Sequence, residues 1–218
     1  MNTPESVLLL HGLGRTARSM RWLAGRLDAA GYDAHTVDYP STCHPIRTLV
    51  EEYIRPEVEA HWEGGPLHLV THSLGGIVAR VYAEQYGLPE GSRVVMLAPP
   101  NAGNEFADLF HDRWPISRLC GPALRELQTA PEGIATELGP VDFELGVIAG
   151  DRNVYPGLGR LLGGPSDGRV SIEATKVEGM ADHVTVSMGH ALIMRSRAVA
   201  DETLHFLRWG RFRNGEGG

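Results

Sequence analysis

The chain alternates short apolar runs with stretches whose apolar residues recur every three or four positions. Ser6 leads into Val7-Leu8-Leu9-Leu10, which ends at His11-Gly12. An unbroken run of this length suits a parallel strand buried on both faces. Between Ser19 and Ala30, the positions Met20, Leu23, Ala24, Leu27 and Ala30 share one face of a helix, and Gly31 offers its stop. Ala34–Tyr39 reads as a second strand closed by Pro40. A long helix is predicted from Pro45 to Trp62, with Ile46, Leu49, Val50, Tyr53, Ile54 and Val58 on one face. Pro45 suits its first turn, whereas Pro56 predicts a kink or a split. Leu67–Thr71 then reads as strand, Gly75–Gln85 as helix and Arg93–Ala98 as strand. Residues 99–140 are poorly periodic and are expected to carry two short helices. Leu145–Gly150 and Asp182–Ser187 read as strands, Ala191–Trp209 as a closing helix, and Asn214–Gly218 as a frayed tail.

Strands alternating with helices predict an α/β fold with a mostly parallel central sheet of about six strands flanked by helices. Ligands in such sheets sit outside the carboxyl ends of the strands. Attention therefore falls on His11, Ser73, Pro99, Asp151 and the stretch after Ser187.

Composition removes several alternatives. With 218 residues, 42% apolar and 22% charged, the chain has the make-up of an ordinary globular protein of one domain or a small pair. Lys and Arg number 20 against 27 Asp and Glu, a net charge of −7, which argues against binding nucleic acid through its phosphates. The first residues lack the basic start, longer apolar stretch and cleavage site of a secretory signal, and no run approaches the ~18 apolar residues of a membrane span. A cytoplasmic protein without a transmembrane segment is expected. Cys43 and Cys120 are then expected as free thiols. Neither lies in a CxxC and no Cys/His cluster has zinc spacing, so no metal or cofactor is expected.

The densest chemistry lies at Thr71-His72-Ser73-Leu74-Gly75-Gly76, where a strand runs directly into a helix. A serine on so sharp a turn has its hydroxyl pushed out above the sheet, with a helix N-terminus behind it that favours negative charge. Small residues are needed two positions either side, where strand and helix pass close; Gly75 fits, and Thr71 stands where G-x-S-x-G has its first glycine. A serine hydroxyl needs an adjacent base. His190 follows the last strand and a Met188-Gly189 turn, while its rival His183 precedes that strand at the other end of the sheet. Gly12-Leu13-Gly14 follows the first strand, but the run lacks the third glycine of a dinucleotide loop.

The strand–Ser–Gly-Gly–helix turn, the early His11-Gly12-Leu13-Gly14 and the late Asp and His together resemble the α/β-hydrolase superfamily, and within it the small bacterial lipases and esterases. The resemblance spans about residues 6–209. It implies a Ser73 nucleophile, a His190 base, and an oxyanion hole formed by the N–H groups of Leu13 and Leu74; because these motifs run from His11 to His190 in 218 residues, one domain with no large cap is expected. For the acid it leaves two positions. Asp151 heads Gly150-Asp151-Arg152-Asn153, with Asn153 in the usual acid place, and Asp167 lies in Ser166-Asp167-Gly168-Arg169-Val170, the favoured window. Pro99–Gly103 is expected to border the pocket. Leu109, Phe110, Trp114, Ile116 and Leu119 are candidates for a short lid or for simple sheet cover, and Tyr155, Leu158, Leu161 and Leu162 for a second apolar loop. The activity implied is hydrolysis of a small-molecule or lipid ester without a cofactor. An acyltransferase or thioesterase on the same residues and a non-catalytic binding module are the alternatives.

Overall fold

The computed structural model describes residues 4–129, 131, 133–153 and 164–213. Six strands form one sheet in the order β2-β1-β3-β4-β5-β6. They are β1 (Ser6–Leu10), β2 (Asp33–Val37), β3 (Leu67–His72), β4 (Arg93–Leu97), β5 (Glu144–Gly150) and β6 (Asp182–Val186). Every ladder is parallel. All carboxyl ends therefore open on one side, where His11, Ser73, Asp151 and the residues after β6 gather. β3 is buried along its whole length and β5 along all but Glu144, as expected of central strands covered on both faces.

Helices cover both faces. On one side α1 (Arg21–Asp28) and the closing α8 (Arg197–Trp209) bury Leu23, Leu27, Val199, Phe206 and Leu207 against Val7, Leu9, Val70 and Val95. On the other, α4 (Leu74–Tyr86) buries Ile77, Val78 and Val81 against Leu8, Leu69 and Val94. The alternation of strand residues between these two layers follows directly from the period-2 side-chain pattern.

The predicted helix around Pro56 is one run with a fault in it. α2 (Ile46–Leu49) passes into a π turn at Val50–Ile54 and then α3 (Arg55–His61). Pro56 sits in the first turn of α3, where its missing N–H has least consequence. The widened turn before it gives the ring room that an α-helical Glu52 carbonyl would occupy, and Arg55 N–H donates back to Val50 O instead.

Among the described residues of 99–140 there are three short helices where the sequence predicts two: α5 (Glu105–Phe110), α6 (Ile116–Glu126) and α7 (Ile134–Leu138). Five residues of α7 show too little periodicity to be read from sequence. α6 is broken at Gly121, whose φ of 68° is a left-handed conformation. Any β-carbon there would lie 1.7 Å from the Thr42 carbonyl oxygen. The segment is tied to the sheet by Arg80 of α4. Its buried guanidinium donates to the carbonyls of Asn101 at 3.0 Å, Ala135 at 3.2 Å and Gly139 at 2.6 Å. Burial without a carboxylate partner brings the Arg80 pKa down to about 10.

α8 begins at Arg197, not Ala191. Ser196 is its N-cap, accepting from Val199 N–H, and a 3₁₀ turn at Ile193–Arg195 fills the gap. Cys43 is exposed, Cys120 is partly buried, and both are free thiols. Among the described residues no helix is long and apolar enough to cross a membrane. The stretch holding Tyr155, Leu158, Leu161 and Leu162 and the tail Asn214–Gly218 lie outside the described residues.

Candidate active site

The site starts from one strained residue. Ser73, between β3 and α4, has φ 54° and ψ −122°, a region that few side-chain-bearing residues enter. Neighbours hold it there: Ser73 N–H donates to Leu97 O at 2.9 Å, and its carbonyl accepts from Gly76 N–H at 2.9 Å. The turn is possible because the helix passes hard against β1. A β-carbon on Gly75 would lie 2.7 Å from Leu10 O and 2.9 Å from His11 O.

Three side chains then form a line. Ser73 Oγ–H donates to His190 Nε2 at 3.0 Å, and His190 Nδ1–H donates to Asp167 Oδ2 at 2.7 Å. An ionised carboxylate only accepts, so this arrangement leaves Nε2 as the free base. Asp167 is fixed in turn: its Oδ1 accepts from Arg169 N–H and Val170 N–H, both at 2.9 Å, and its carbonyl accepts from His190 N–H at 3.1 Å. All three residues are buried. Asp151 is exposed, with its backbone N–H bonded to Val186 O. The structure thus brings Ser73, His190 and Asp167 together and leaves Asp151 outside. His183 sits at the start of β6, bonded to Thr175 Oγ1 at 3.0 Å and away from this line.

The glycine loop after β1 closes over the serine. A β-carbon on Gly12 would come within 3.1 Å of Ser73 Cβ. Tyr39 O–H donates to the His11 carbonyl, the His11 and Tyr39 rings stack at 4.0 Å, and Gly14 N–H donates to Ser41 Oγ at 3.0 Å. The N–H groups of Leu13 and Leu74 have no protein acceptor among the described residues. Leu74 N–H heads α4, where the helix leaves its first donors unpaired.

A cavity of about 310 Å³ opens on Ser73 and His190, walled by Phe106, Leu119, Leu124 and Leu127. Two expectations change here. Pro99–Gly103 does not line the cavity; Asn101 instead faces inward, its side-chain amide donating to Thr175 O at 2.9 Å. Of the five lid candidates only Leu119 reaches the wall, while Trp114 stands exposed over a neighbouring depression.

The chain matches a family model described as Alpha/beta hydrolase family over residues 7–202. This chain belongs to the alpha/beta hydrolase family. Its six-stranded all-parallel sheet, flanked by helices and without a large cap, is that family's fold. Among solved structures it is similar to the mature lipase BlEst2 of Bacillus licheniformis, at 20% identity and TM-score 0.69, covering 95% of this chain and 93% of that one. It is also similar to the phospholipase PlaB of Legionella pneumophila, at 18% identity and TM-score 0.72, covering 93% of this chain and 58% of that one. A third is the RedJ thioesterase of Streptomyces coelicolor, at 12% identity and TM-score 0.57, covering 95% and 91%. No curated protein sequence matches the chain.

One residue of this alpha/beta hydrolase has more to do than sequence reasoning gave it. His72, just before the serine, reads from its position as a residue that packs beneath the site. Its Nε2–H donates to the carbonyl of His190 at 3.0 Å, and its buried Nδ1 borders Gly12 without a hydrogen-bond partner. Burial, reinforced by the nearby His190 and Arg15, holds its pKa well below the ordinary range. Neighbouring Thr71, in the place of the elbow's first glycine, is also buried with an unpartnered hydroxyl.

Among the described residues one group has the makings of a metal site, and it stands apart from the cavity. His35 of β2 meets Glu57 and His61 of α3, with ligand atoms all within 4.8 Å. The two imidazoles stack at 3.6 Å and His35 Nε2 bonds Glu57 Oε2 at 3.0 Å. Linear spacing shows only half of it: Glu57 and His61 lie one helical turn apart, but His35 comes from a strand 22 positions before Glu57.

The buried histidines make stability depend on pH. Burial lowers the pKa of His11, His68, His72 and His183. In the unfolded chain such groups take up protons near pH ~6.5. Between that value and their lower folded values the unfolded state binds more protons, so stability rises with pH. The urea midpoint is expected to fall as pH drops from about 7 to about 5, and to fall less steeply in His72→Asn. A midpoint that is flat or rises on acidification contradicts the neutral burial of these rings.

Proposed function

We propose that the protein is a serine hydrolase of carboxylic esters, acting through an acyl-enzyme. The observation that carries this reading is the hydrogen-bonded line Ser73–His190–Asp167 at the carboxyl ends of β3 and β6. As Ser73 Oγ attacks the ester carbonyl, His190 Nε2 takes its proton, and Asp167 stabilises the imidazolium that forms. Charge develops on the carbonyl oxygen, where the N–H groups of Leu13 and Leu74 are available to hold it. Collapse of the tetrahedral intermediate breaks the ester C–O bond, and His190 returns the proton to the departing alkoxide. Water then attacks the acyl-enzyme, giving one proton to His190, and the acid leaves as that proton returns to Ser73. Esters accord with the lipase and esterase neighbours, and the same steps would serve a thioester.

The test is covalent labelling. A fluorophosphonate probe is expected to attach to the peptide containing Ser73, with matching loss of p-nitrophenyl butyrate hydrolysis. Labelling elsewhere, or turnover that survives full labelling, overturns the reading.

A further inference from the structure

Among the described residues two arginines line the Ser73 cavity and no carboxylate does. Arg15 follows the glycine turn after β1. It is partly buried, and its guanidinium is held by a hydrogen bond to the Ala191 carbonyl at 3.0 Å. Arg169 follows Asp167, and its guanidinium lies 5.6 Å from the centroid of the Phe106 ring. Both heads are thus pre-positioned by neutral partners, a carbonyl and a ring face.

Elsewhere among the described residues Arg26, Arg47, Arg55, Arg93 and Arg125 meet carboxylates within 4 Å. Neither Arg15 nor Arg169 enters such a pair with any carboxylate of the described residues. Burial lowers the pKa of Arg15, and repulsion from Arg169 and Arg195 adds to the effect. Like charges gathered without counter-charge are costly unless something else neutralises them. Guanidinium groups match the paired oxygens of carboxylates and phosphates.

We propose that the cavity takes esters bearing an anionic group, a carboxylate or phosphate, held by Arg15 and Arg169 while Phe106, Leu124 and Leu127 cover the hydrocarbon part. The proposal rests on the reading of Ser73 as nucleophile and names the substrate class for it.

The experiment compares kcat/KM for matched esters at low salt. Mono-p-nitrophenyl succinate against p-nitrophenyl butyrate places the charge on the acyl side; 3-acetoxybenzoate against phenyl acetate places it on the alcohol side. In one of the two pairs the anionic ester is expected to be favoured about tenfold or more, the scale of one charge-assisted hydrogen bond. That ratio should fall about tenfold in Arg169→Gln or Arg15→Gln and shrink as salt is raised. Arg169→Gln keeps the backbone N–H that Asp167 uses, so loss of the ratio there is not loss of the turn. A ratio near one in both pairs, or one that both substitutions leave intact, overturns the proposal. Calorimetric titration of succinate and of inorganic phosphate into Ser73→Ala gives a readout free of turnover. Saturable binding that weakens in Ser73→Ala/Arg169→Gln supports the anion site; no saturable binding of either overturns it. If none of the four esters is hydrolysed, the nucleophile reading fails, and the titration alone decides the anion site.

Discussion

Ser73→Ala is expected to lower kcat for p-nitrophenyl butyrate by about 10⁵- to 10⁶-fold, the scale seen when a triad nucleophile is removed. That corresponds to about 7–8 kcal/mol of transition-state stabilisation. The reasoning is direct: His190 Nε2 has Ser73 Oγ as its only partner in the line, and without that atom no acyl-enzyme forms. The β-carbon remains, so the strained elbow at φ 54° and its bonds to Leu97 and Gly76 persist. The urea midpoint should stay close to the parent's. Residual turnover within tenfold of the parent would show that another group is the nucleophile. A collapse of stability would show that the hydroxyl serves the fold.

The second large effect is expected at Asp167. In Asp167→Asn the position of Oδ1 is dictated by Arg169 N–H and Val170 N–H, which require an acceptor. The amide oxygen must take that place, which turns the NH₂ group toward His190 Nδ1. An NH₂ donates where the carboxylate accepted, so the imidazole is driven to the tautomer with its proton on Nε2. In that tautomer it cannot take the Ser73 proton, and kcat is expected to fall about 10⁴-fold, as in the protease triad. Because the turn keeps both acceptor bonds, the fold should be little disturbed. Asp151→Asn is the internal comparison and is expected to change kcat by less than about threefold, as for an exposed side chain away from the reacting line. A large loss at Asp151 with little at Asp167 would reverse the assignment of the acid.

These expectations could be framed because much of the site is written locally. The elbow is six consecutive residues, and the strand before it and helix after it follow from apolar periodicity alone. His190 was reachable because a strand and a turn precede it within a few positions. What sequence left open depends on distant partners. The acid remained a choice between Asp151 and Asp167 because both follow β5. The fold of the Asp167–Val170 turn decides which carboxylate faces His190. Position 72 hid its role for the same reason: its bond goes to a carbonyl in the far part of the chain. Pro99–Gly103 misled because proximity to a strand end does not say which way a loop turns. Here Arg80 and Thr175 draw Asn101 inward. The three helices of 99–140 escaped because they are short, one is broken at Gly121-Pro122, and each buries only a few residues against the core.

An all-parallel sheet also governs the order in which such a chain can fold. Within the sheet no two strands form a hairpin: its nearest paired residues in sequence, Leu69 and Val94, are 25 positions apart, and Leu10 of β1 must find Thr71. Loops of this length are closed before any ladder rewards them, which favours slow folding through a few βαβ units. A chain growing from its first residue would complete the β1–β3 pair and the elbow while β6 was still unmade. The strained serine would therefore exist for a time without the histidine that accepts its hydrogen bond in the finished fold.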